Sequence, residues 1–166
     1  MRERTIVLNG FSKAHAMTGL RVGYSCAPRE ITDMMFKVHQ YAILCASVTS
    51  QYGAIAALKY CDSDVEAMYH EYDARRRMIY EGLQKIGLSV FEPKGAFYIF
   101  PDITCTGMND EEFSEALLNE EKVGVVPGSC FGVQGRGHVR MSYATSRENI
   151  AEALRRMERF VARHRQ

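Results

Sequence analysis

The sequence is short of the features that would commit it to a membrane, a nucleic acid or an oxidising compartment. No apolar run approaches the ~20 residues that a spanning helix needs, and Met1-Arg2-Glu3-Arg4 leads into a strand-like run rather than a secretory leader. Charge of one sign is lacking too. The formal net charge is +1, which gives no reason to expect a nucleic acid or an anionic membrane as partner. Cysteine is sparse and odd in number: Cys26, Cys45, Cys61, Cys105 and Cys130 are widely spaced, and no Cys-x-x-Cys occurs. That pattern argues against disulfide or zinc frameworks and for reduced thiols in a cytoplasmic protein. Internal repeats and low-complexity tracts are absent as well.

What remains is an ordinary globular composition, 46% hydrophobic and 25% charged over 166 residues. That length holds one domain, or a lobe and part of another. A chain of this size buries roughly 70% of its unfolded surface, so a real core is expected.

Thr5 to Leu8 is an apolar, β-rich run that Asn9-Gly10 ends with a turn signal, and Leu20 to Cys26 is a second strand-like run. Pro28 opens a helix whose first turn carries Glu30 and Asp33, and its apolar residues recur at helical spacing to about Leu44. After a polar break at Ser47 to Ser50, an alanine-rich helix runs from Gln51 to Tyr60. Asp62-Ser63-Asp64 caps a long helix reaching about Lys85, with Gly87 as its C-terminal signal. Its charge run Asp73-Ala74-Arg75-Arg76-Arg77 reads as a solvated face. Strands are expected at Leu88 to Phe91, Ala96 to Phe100, Val123 to Val126 and His138 to Tyr143. Helices are expected after Asn109 and after Ser146, the last with an Ile150, Leu154, Met157 and Val161 stripe. The second half therefore reads as an α+β lobe. The two opening strands are too few for a stable sheet of their own.

Lys13 is the only lysine before Lys37, and it lies between the two opening strands, with Ser12 before it and Arg21 eight positions on. If both strands end at one pocket, Lys13 is a poorly hydrated amine beside a guanidinium. Desolvation and a neighbouring cation both lower an amine's pKa and make it a nucleophile, while the guanidinium fork and the serine hydroxyl suit phosphate oxygens. Taken alone, such a pair is more often a loop lysine and a strand-capping arginine.

The run Ser12-Lys13-x-x-Ala16-Met17-Thr18-Gly19-Leu20-Arg21-Val22-Gly23-Tyr24 resembles the cofactor-lysine segment of class I/II aminotransferases, the fold-type I enzymes that use pyridoxal 5′-phosphate (PLP). By that resemblance Lys13 carries the cofactor and Ser12 and Arg21 bind its phosphate. The polar run Ser47 to Gln51 is similar to a family loop near the neighbouring subunit's phosphate site.

Gly95-Ala96-Phe97-Tyr98 resembles the family strand bordering the substrate pocket, although by pattern alone it reads as a core strand. Val125 to Gly132 (Val-Val-Pro-Gly-Ser-Cys-Phe-Gly) is similar to a loop that shapes the small lobe and the pocket's edge. His138-Val139-Arg140-Met141-Ser142-Tyr143-Ala144 resembles the strand whose arginine grips the substrate α-carboxylate. Alternation sets Arg140 opposite Val139 and Met141, facing either solvent or an anion. His15 reads as packing.

The resemblance implies an α/β and α+β architecture. Residues 1–60 would be the C-terminal part of an incomplete PLP-binding large domain, and residues 61–166 the small α+β domain. It also implies amino acid and 2-oxo acid substrates and a homodimer. In the family the cofactor lysine lies well past the middle of the chain, and the aspartate, tyrosine, stacked aromatic and glycine-rich loop that complete the cofactor site all precede it. The chain thus resembles a C-terminal portion, expected alone to bind PLP poorly and to transfer few or no amino groups. A fold-type I lyase or synthase shares Lys13, Arg21 and Arg140, and a non-catalytic regulatory module could keep the same scaffold.

Overall fold

The computed structural model describes residues 1–165. The chain divides into two compact units, Met1–Met68 and Tyr69–Gln166.

In the first unit, β1 (Val7–Gly10) and β2 (Gly23–Cys26) form a two-stranded antiparallel ribbon in which Val7 faces Cys26 and Gly10 faces Gly23. The approach is close enough that a Cβ on Gly23 would sit 2.9 Å from the Asn9 carbonyl oxygen. Helix α1 (Arg29–Ala42) follows Pro28, whose fixed φ suits a helix entry, and none of its residues is buried. The helix α2 (Val48–Tyr60) begins three residues earlier than the polar break implied. Its inner face is Ser50, Ala54 and Ala57, small residues at i, i+4 and i+7 that let it lie against Phe11 and Val22. Those four hydrophobic residues are the whole buried core of this unit among the described residues.

α3 (Asp62–Ile86) crosses the division, which falls between Met68 and Tyr69. It ends as its sequence requires. Gly87 takes φ +86°, its N–H donates to Gln84, and the Leu88 N–H reaches back to Leu83. Leu83 and Leu88 are both buried, so the Schellman turn closes over an apolar contact.

The second unit holds a three-stranded antiparallel sheet in the order β3 (Tyr98–Ile99), β5 (Val139–Ser142), β4 (Val126–Pro127). Against it lie the end of α3, α4 (Asp110–Glu121) and α5 (Arg147–His164), and Ile79, Leu83, Phe113, Leu117, Val139 and Phe160 are all 2% exposed or less. Asn109 caps α4 through a full capping box with Glu112, and Ser146 caps α5. Buried Glu121 on α4 accepts from Arg159 (2.6 Å) and Arg163 (2.8 Å) on α5.

Three expectations need correction. Leu88 to Phe91 is irregular, not a strand. Its only ladder-like bond runs from the Asp102 N–H to the Ser89 carbonyl, and Phe91 is almost wholly exposed. Both strands flanking β5 shrink to two residues, one because Ala96 turns left-handed at φ +57° just before β3. Nor is the charge run of α3 a solvated face. The Arg76 side chain is only 18% exposed and bridges Asp73 (2.8 Å) and Glu92 (2.6 Å), tying the helix to the irregular segment.

Candidate functional site

The ribbon of the first unit explains how residues eight apart become neighbours. The Phe11 N–H donates to the Val22 carbonyl, extending the β1–β2 ladder by one rung. Ser12 and Lys13 leave from one side of that rung and Arg21 enters on the other. The loop between is tightened by bonds from the Ala16 N–H to Lys13 and from the Met17 N–H to Phe11. Arg21 adopts a left-handed backbone (φ 50°, ψ 48°), unusual for a side chain with a Cβ, and its guanidinium donates to the Thr18 carbonyl at 2.9 Å. Buried Ser50 on α2 donates to the Leu20 carbonyl at 2.6 Å, which pins the residue just before that turn.

Ser12 is half-buried, whereas Lys13 and Arg21 are exposed. The amine expected to be sheltered by two converging strands is thus exposed in the structure. His15 packs its ring 5.1 Å from Phe11, as expected, but its Nδ1 is buried with no hydrogen-bond partner among the described residues.

In the second unit Arg140 sits on the middle strand of the sheet, paired with Val126, between buried Val139 and Met141. Alternation sends its side chain to the other face, where it meets two rings. The guanidinium carbon lies 4.4 Å from the centre of the Tyr98 ring and 4.5 Å from that of Phe131. Tyr98 pairs with Ser142, which shares a face with Arg140, so Tyr98 reaches it along the diagonal. No carboxylate among the described residues forms an ion pair with Arg140.

The Phe97 ring lies beside that of Tyr98, centres 4.6 Å apart, and packs on the core beside Tyr72, at 6.0 Å. Its carbonyl accepts from the Tyr143 N–H, and the Tyr143 hydroxyl donates to Ala96, fixing the chain before β3. A Cβ on Gly95 would meet nothing within 4 Å, so the space beside it is open. Ser12, Lys13 and Arg21 thus belong to the first unit, and Phe97, Tyr98 and Arg140 to the second.

Phe131 was not marked as a site residue by the sequence, where it is one letter of a glycine-rich loop. The fold sets it with care. The Ser129 N–H donates to buried Asp110 at 2.7 Å, and hydrogen bonds from the Ser129 hydroxyl and then from that N–H hold the Asp110 carboxyl below its usual range. Gly128 and Gly135 approach so closely that a Cβ on Gly128 would lie 1.9 Å from the Gly135 carbonyl oxygen.

The sequence profile of the family described as aminotransferase class I and II matches residues 1–157. An aspartate aminotransferase of Pyrococcus abyssi is 50% identical over 163 residues, covering 97% of this chain and 42% of that protein. Aromatic-amino-acid aminotransferase 2 of Thermococcus litoralis is 48% identical, with the same coverage of both. The crystal structure of an aromatic aminotransferase from Pyrococcus horikoshii superposes with a TM-score of 0.92 at 48% identity, over 98% of this chain and 44% of that one. The chain spans well under half the length of these relatives.

Proposed function

Because this chain belongs to the class I and II aminotransferase family, we propose that it supplies the amine and the two arginines of an enzyme that moves an amino group from an amino acid to a 2-oxo acid with pyridoxal 5′-phosphate. The donor set suits that cofactor: an amine for its aldehyde carbon, and a hydroxyl with a guanidinium for its phosphate. Lys13, Ser12 and Arg21 are those donors, gathered at one end of the β1–β2 ribbon. When bound, the cofactor supplies a sink for the electrons left on the substrate's Cα.

The chain's own residues do the rest. Lys13 Nζ moves the proton that leaves the substrate Cα. Arg140 holds the substrate α-carboxylate, and a sheltered bidentate pair of this kind contributes roughly 1.5–3 kcal/mol to orientation. Tyr98, on the neighbouring strand, and Phe97, just before that strand, border the substrate.

The observation that carries this reading is Arg140, a half-buried guanidinium on an inner strand with no carboxylate partner among the described residues. Exposure of Lys13 and of the α1 residues Met34, Phe36, Val38 and Tyr41 fits a first unit that is completed by further aminotransferase polypeptide. By the same reading the chain alone transfers few or no amino groups, the complete enzyme is a homodimer, and the five free cysteines accord with a cytoplasmic location.

Substituting this chain for the matching portion of the Pyrococcus abyssi enzyme tests the proposal. The chimaera should bind the cofactor in a borohydride-reducible form and transaminate. Lys13→Ala should remove both properties, and Arg140→Ala should raise KM for the amino acid. A folded, cofactor-loaded chimaera that releases ammonia or a side-chain fragment instead of passing on the amino group would refute it.

A further inference from the structure

The inference concerns Phe131 and rests on the reading of Arg140 as a carboxylate clamp. Phe131 is 51% exposed and Tyr98 36% exposed, so neither ring is where it is for the sake of burial. Both lie against one guanidinium, at 4.5 and 4.4 Å from its carbon. A guanidinium is flat, and all five N–H donors lie in its plane. Contact with aromatic faces engages the flat side through the ring quadrupole and leaves those in-plane donors unspent. An ion pair with an internal carboxylate would do the opposite, consuming the donors a ligand needs.

The ring is placed by the backbone. Phe131 closes the turn Gly128–Phe131, which the Asp110 carboxylate holds through the Ser129 N–H and the Gly128–Gly135 contact locks from behind. Phe100 meets Phe131 edge-on at 6.0 Å and is itself stacked on His138 at 5.4 Å. A long, rotamer-rich arginine is thereby ordered before a ligand arrives, and ordering it beforehand lowers the entropy cost of binding.

We infer that Phe131, together with Tyr98, is a positioning residue that presents the edge of the Arg140 guanidinium to the carboxylate of an incoming amino or oxo acid.

The test uses the 166-residue chain labelled with nitrogen-15, following the Arg140 Nε–Hε resonance, identified by its loss in Arg140→Lys, while sodium acetate is titrated against sodium chloride at equal ionic strength. In the wild type the resonance should be ring-shifted and should move with acetate. Phe131→Leu should lose much of the ring shift and bind acetate about fivefold more weakly, with an unchanged melting temperature, while Phe131→Tyr should keep both properties. Acetate affinity unchanged in Phe131→Leu, or a tyrosine variant no better than leucine, overturns the inference. Should Phe131→Leu fail to fold, Tyr98→Leu makes the same comparison from β3, with the same loss expected and unchanged affinity overturning the inference. A wild-type resonance that responds to chloride and acetate alike overturns the carboxylate reading of Arg140 itself, and the inference with it, so the two failures are told apart.

Discussion

The two units are built on opposite terms. The first has a buried core of Phe11, Val22, Ala54 and Ala57, with Phe36, Val38, Tyr41, Leu44, Tyr52 and Leu58 all at least 60% exposed. The second buries sixteen hydrophobic residues in one cluster, caps α4 and α5 with side chains, and ties its helices with ion pairs. Identical chemistry is available to both, since each has amphipathic helices and an antiparallel sheet. They differ in whether apolar faces find partners within the chain. At about 25 cal/mol per Å² of buried apolar surface, it is the partners that make a fold self-supporting.

Separating the units should have the largest effect. Residues 62–166 alone should give a cooperative urea transition and dispersed amide resonances, whereas residues 1–61 alone should be unfolded or aggregate. A sharp transition in the shorter piece would show that the first unit supports itself. Point substitutions should separate the units by smaller amounts. Phe113→Ala removes a fully buried ring packed edge-on against Phe160 at 5.2 Å and should cost about 3–5 kcal/mol by denaturant unfolding. Phe36→Ala, on the exposed side of α1, should stay within about 0.5 kcal/mol.

Acid provides a third contrast. Arg147 and Arg75 hold Glu71 down to about 2, and Arg155 and Arg156 do the same for Glu152, from a usual value of 4.5. A carboxylate depressed in the folded state contributes stability above its unfolded pKa and loses it as pH falls toward its folded one. The urea midpoint of residues 62–166 should therefore drop between about pH 4.5 and pH 2, and Glu71→Gln should flatten part of that slope. The smallest expected effect is at the helix starts. Asn109→Ala should cost about 1 kcal/mol by loss of the capping box, while Ser47→Ala should be nearly neutral, since its hydroxyl makes no cap bond.

Local chemistry made much of this legible. Asn109 with Glu112, Ser146 and Gly87 are end signals whose meaning lies within a few residues, and each marks a helix end in the structure. The spacing of Lys13 and Arg21 likewise lies within one ribbon. Relations carried by distant segments were not legible. The Leu88 to Phe91 run has strand composition but a single ladder-like bond, from the Asp102 N–H to Ser89, and the ion pair of Arg76 with Glu92 joins residues sixteen apart. The loop of Phe131 resembles one at a pocket's edge, but its pattern does not reveal the contact with Arg140, because that partner lies on a distant strand and the geometry comes from two glycines and a buried aspartate.

β5 is flanked on both sides, and its residues alternate strictly between the core and the Arg140 face. A slip of one position would drive a permanent charge into the hydrocarbon interior and turn Val139 and Met141 outward. An insertion or deletion within this segment therefore inverts the strand, exposing the interior side chains and burying the charge at one stroke.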